Sequence, residues 1–122
     1  MTLQELYTLI GGNYDQALKI MRRDKLIDRY IRKLSSSQVG EGLAAAGETM
    51  DAAGMFESAH AMKGVCANLG LDTLSQAASD LAEEFRPGTP RSYTDEEVRA
   101  KVAAVMELYR RTIDGIHQYE NG

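Results

Sequence analysis

Hydrophobic residues recur at helical spacing along most of the chain, and the longest such series lies in the last third. Val98, Val102, Val105, Tyr109, Thr112, Ile116 and Tyr119 follow one another at alternating steps of four and three. That seam belongs to a helix packed lengthwise in a bundle. Met55, Ala59, Met62, Cys66 and Leu69 repeat the same steps, and Leu74, Ala78, Leu81 and Phe85 form a third apolar stripe. Near the amino terminus, Leu3, Leu6, Leu9 and Ile10 predict a short amphipathic helix. Leu18, Met21, Ile27, Tyr30 or Ile31, and Leu34 carry an apolar face onward.

Local signals place the boundaries. Gly11-Gly12 should stop the first helix, and Asn13 should cap a new turn with Gln16 in the reciprocal position of a capping box. Asp24 restarts or kinks this element, and Ser35-Ser36-Ser37 ends it. Residues 38–47 read as a weak short helix ended by Gly47. A central helix is expected from Asp51 to Leu69, with Gly70 just beyond its end and Asp72 or Thr73 capping the next. So tight a connection predicts an antiparallel hairpin over 51–85. Two prolines and a glycine make 86–93 a loop, and Thr94-Asp-Glu-Glu97 is a capping box opening a helix over 95–119. The expected fold is all-α: an antiparallel four-helix bundle of the helices near 24–35, 51–69, 72–85 and 95–119. Additional short N-terminal helices within 1–35 should lead into it, with 2–22 lying over one end.

Composition narrows the class. A length of 122 residues suits one domain with one core. Hydrophobic residues at 43% exclude bulk disorder. No apolar run reaches the roughly 18 residues of a transmembrane span, and no signal peptide is evident. Cys66, the single cysteine, falls on a core stripe and reads as a small buried residue in a reducing compartment, which points to the cytoplasm. A net charge of −4 argues against nucleic acid as a partner. One segment runs the other way: Lys19, Arg22, Arg23, Lys25, Arg29, Arg32 and Lys33 cluster on 19–33. A solvated face with local ion pairs accounts for them, although an acidic partner would also suit it.

The chemistry lies on the central helix. At about 100° per residue, His60 falls roughly 140° and Gly64 roughly 180° from the centre of the apolar stripe, so both point away from the core. Lys63 flanks them. A glycine inside a helix costs about 0.5–1 kcal/mol relative to alanine. Here it clears the surface beside an imidazole. An exposed histidine, a nearby cation and an open approach suit the capture of an anionic group, phosphoryl above all.

Residues 59–71, Ala-His-Ala-Met-Lys-Gly-Val-Cys-Ala-Asn-Leu-Gly-Leu, resemble the signature of histidine-containing phosphotransfer (HPt) domains of bacterial two-component phosphorelays. Met62 stands where that signature usually has Leu, a swap between hydrophobes of similar volume. The resemblance implies that His60 reversibly accepts phosphoryl on Nε2 from the aspartyl phosphate of a receiver domain and passes it to another receiver. Lys63 would lend positive charge and Gly64 steric access. Glu57, Ala61, Ala67 and Asn68 would line the partner surface. Response-regulator receivers are the implied partners, with a hybrid sensor kinase as a further one. Mg²⁺ would sit on the receiver, so no cofactor is expected on this chain. A monomer is expected, free-standing, without membrane attachment. The chain has no nucleotide-binding loop and no room for an ATP domain, so it should not be a kinase.

Duller readings compete. His60 could be an ordinary surface histidine, as His117 is expected to be. Glu57-x-x-His60, echoed by Asp114-x-x-His117, matches half of a di-metal carboxylate bundle, but those ligands point into a bundle core and these point outward. The fold could also persist as a receiver-binding scaffold that transfers nothing.

Overall fold

Each apolar stripe becomes a helix with an identifiable start and stop. The computed structural model describes residues 1–122 as seven α-helices: α1 (Leu3–Ile10), α2 (Tyr14–Met21), α3 (Asp24–Ser35), α4 (Val39–Thr49), α5 (Ala52–Asn68), α6 (Asp72–Glu84) and α7 (Asp95–Asn121). Thr2 and Glu5 form a capping box at α1, and Thr94 and Glu97 form another at α7. Asn13 accepts the Gln16 amide hydrogen at 3.0 Å, but the reciprocal Gln16 bond does not form. Leu71, rather than Asp72 or Thr73, is the N-cap of α6, without a side-chain cap.

The stripes converge on one cluster of 24 buried hydrophobic residues. Met55, Ala59, Met62, Cys66 and Leu69 are all within it, as are Val98, Val102, Val105 and Ile116. Each fully buried Leu, Ile, Val or Met there contributes about 1.5–3 kcal/mol.

The bundle's membership differs from the expectation in one helix. α5 packs on α6, both hairpin partners reach α7 or α4, and α4 closes the ring by packing on α5 and α7. α3 packs on α7 and α2 instead. Gly47, expected to stop α4, lies inside it and is buried. The helix ends at Met50, which takes a left-handed φ of 54°. α4 hides its role because its contact surface is made of absent side chains. A Cβ on Gly40 would stand 2.5 Å from the Tyr109 ring, and one on Gly47 would stand 3.0 Å from Val102. Two glycines seven residues apart thus meet two α7 seam residues seven apart, running in opposite directions.

The N-terminal helices cover the end of the α5–α6 hairpin. The Tyr7 hydroxyl donates to the Leu69 carbonyl at 2.7 Å, satisfying an acceptor that the end of α5 leaves free. The Asn13 amide donates to the Gly70 carbonyl at 2.8 Å. Gly70 itself has φ 67°, and a Cβ there would collide with the Asn13 carbonyl. Only glycine meets both demands.

Candidate functional site

The site is the outward face of α5. Asp51 caps the helix by accepting the Gly54 amide hydrogen at 3.1 Å. The inner stripe then fixes its rotation against the core, which leaves Glu57, His60, Ala61, Gly64 and Asn68 exposed. Lys63 and Ala67 are half-buried at the flanks. The Ser75 hydroxyl of α6 donates to the Lys63 carbonyl at 3.0 Å and pins this turn to the hairpin.

Nothing within 4 Å would meet a Cβ on Gly64. No packing within the chain demands glycine there, so the space beside His60 is open to solvent. Asn68 makes no side-chain hydrogen bond. It lines a surface pocket of about 260 Å³ with Met21, Tyr30, Val65 and Leu69. Tyr30 and Val65 are 39% and 41% exposed, so the face beyond Gly64 is apolar where Met21 of α2 and Tyr30 of α3 line this pocket.

Three residues join His60 that sequence reasoning missed. The Phe56 ring stacks on the imidazole with centroids 5.4 Å apart and planes 19° from parallel. The Arg86 guanidinium lies 5.7 Å from the centre of the Phe56 ring. Glu83 binds Arg86 through two hydrogen bonds of 2.6 and 3.1 Å. The Arg86 hydrogen bond, then the charges of Arg86, Lys63 and His60, hold the Glu83 carboxyl below its ordinary range. Phe56 stands four residues before His60, a spacing that places the two on one helix face. Glu83 and Arg86 arrive from the opposite end of the hairpin, which no local pattern announces.

The remaining candidates separate from this cluster. Burial pushes the Cys66 thiol up to about 12, so it stays protonated at neutral pH and takes no part in the surface chemistry. Glu57 and His60 are both exposed, as are Asp114 and His117. The core-facing ligand arrangement of a di-metal bundle is therefore not formed, and nowhere do three His, Cys, Asp or Glu side chains gather as metal ligands would. Of the seven basic residues on 19–33, only Arg32 makes an ion pair, with Asp28 at 3.0 Å. No helix is long and apolar enough to cross a membrane.

The arrangement has an exposed imidazole stacked on Phe56 and approached freely from one side, with Lys63 on the same helix and Arg86 against the Phe56 ring. Such a group can act as a nucleophile toward an incoming anionic centre. Among known proteins, the profile of one family, the Hpt domain, matches residues 26–113. No curated protein and no solved structure matches the chain.

Proposed function

The chain belongs to the Hpt domain family, and from that premise we propose that it is a phosphorelay intermediate with His60 as its phospho-acceptor. Membership implies histidine phosphotransfer within a phosphorelay, carried by a phosphotransfer module with receiver domains as partners. The observation that carries the assignment to His60 is its exposure beside the unfilled space over Gly64, on a helix whose opposite face is fully buried.

The step requires little from this chain beyond position and charge. The lone pair of Nε2 attacks phosphorus as the P–O bond of a receiver's aspartyl phosphate breaks. The electron pair of that bond leaves with the aspartate carboxylate, and Nδ1 keeps its proton. Phe56 restricts the ring to one plane, and Lys63 offsets the negative charge gathered on the imidazole. Gly64 admits the receiver's acidic pocket. Glu57 and Ala61 border it, with Ala67 and Asn68 toward the apolar end. The receiver contributes Mg²⁺ and most of the charge stabilisation. Reversal of the same step delivers phosphoryl to a second receiver. The chain would act as a monomer in the cytoplasm, and a hybrid sensor kinase is a further source of the phosphorylated receiver.

The test is transfer from receiver domains carrying labelled aspartyl phosphate and Mg²⁺, with His60→Gln alongside. The wild-type chain should acquire acid-labile, base-stable label and the variant none, with unchanged thermal unfolding because the residue is exposed. Label on the variant sinks the assignment to His60. No label on either chain from any receiver of the genome leaves a receiver-binding scaffold as the better account.

A further inference from the structure

The pair formed by Glu83 and Arg86 has no structural task that the fold requires. Both side chains are about half exposed, 53% and 46%, and exposed pairs contribute little to stability. Yet Arg86 lies against the ring that stacks on His60. Its neighbour Glu84 shows what a structural carboxylate looks like in this helix. Glu84 is buried and accepts from the Ser92 amide at 2.9 Å, the Ser92 hydroxyl at 2.7 Å and the Tyr93 amide at 2.8 Å. Glu83 has one partner, a cation that could otherwise turn toward an anion on His60.

Resting on the phosphotransfer reading of His60, we propose that Glu83 sets the phosphoryl affinity of His60, holding Arg86 in a two-bond pair and opposing the phosphoryl charge with its own. With His60 unmodified, Glu83 satisfies Arg86. The charges of Lys63 and His60 reach the Glu83 carboxyl, so a dianion on the imidazole is felt there in turn, with the opposite sign. Phosphorylation therefore sets two acceptors, the phosphoryl oxygens and the Glu83 carboxylate, in competition for Arg86. The consequence is a phosphohistidine poised for release rather than trapped, as a group that must travel both ways requires.

Phosphoramidate, a small donor that phosphorylates imidazoles without any receiver, tests this on the full chain. His117, exposed on α7, supplies an internal reference, and the readout is the equilibrium ratio of phosphate on His60 to phosphate on His117. Glu83→Gln should raise that ratio by up to roughly fivefold, and Arg86→Gln should lower it by a similar factor, the range open to exposed charge pairs. Glu83→Asp should restore most of the wild-type ratio, and 1 M salt should shrink both effects. A merely structural pair would move the melting temperature and leave the ratio alone. A ratio unchanged or lowered in Glu83→Gln overturns the proposal. Because no receiver is present, this result stands apart from the transfer assay: receivers that fail to load His60 sink the relay reading, and an unmoved ratio sinks the role of Glu83.

Discussion

Gly64 and Gly70 lie on one helical hairpin, six residues apart, and have opposite surroundings. At Gly70 the chain fills the space a side chain would take: the backbone of Asn13 and Ala17 closes over it, and its φ of 67° disfavours any other residue. At Gly64 nothing of the protein comes within 4 Å of where a Cβ would be, and the backbone is ordinary helix. The first glycine is explained by the fold. The second lowers helix stability and gains no internal contact, so its use must lie outside the chain. The same contrast divides Glu84, wrapped by a loop, from Glu83, exposed and paired with the arginine that lies against Phe56.

The comparison can be broken most decisively at the closed end. Gly70→Ala should destabilise the protein by about 3 kcal/mol in denaturant unfolding, combining left-handed strain with a backbone collision. A loss below about 1 kcal/mol would mean that the α1–α2 cover yields easily, and the contrast with Gly64 would weaken. Next in size is Glu84→Gln, which should cost about 2 kcal/mol at neutral pH by disturbing three hydrogen bonds to a charged acceptor. Burial alone would raise the Glu84 carboxyl. The hydrogen bonds from Tyr93 and Ser92 and the charge of Arg91 outweigh it and leave its pKa below the ordinary 4.5. A lowered folded pKa gives stability that is present above 4.5 and lost as pH falls through the folded value. The difference between wild type and variant, followed by unfolding at stepped pH, should therefore close in acid. A gap that persists well below the folded pKa would contradict the charge-based account. The smallest effect belongs to Gly64→Ala, which should stabilise the helix by about 0.5–1 kcal/mol. Gly64→Arg at the same position should keep the fold and suppress transfer from a receiver. An arginine there that leaves transfer rates untouched would remove the steric role.

Much of this arrangement could be read from residue spacing, for reasons that also mark where such reading stops. The stripes of α5 and α7 carry large side chains at regular steps, and burial follows directly from them. The outward placement of His60 and Gly64 follows from the same periodicity. α4 is poorly legible in the sequence because Gly40, Gly42, Ala44, Ala45, Ala46 and Gly47 offer almost no hydrophobic contrast, and glycines commonly mark helix ends. Their function is close approach, and the signal that could have revealed it is the seven-residue spacing shared with Tyr109 and Val102. Phe56 was within reach by its four-residue offset from His60. Glu83 and Arg86 were not, since only the tertiary pairing of α5 with α6 carries them to the histidine.

The stack of Phe56 on His60 also makes the molecule its own reporter. An aromatic ring shields nuclei held over its face, so the imidazole protons of His60 should resonate upfield of those of His117, the one other histidine. A phosphoryl group that turns or lifts the imidazole would change that ring-current shift directly. Two imidazole signals in an unlabelled sample would then follow occupancy of the site in real time, with one histidine moving and the other serving as the fixed mark.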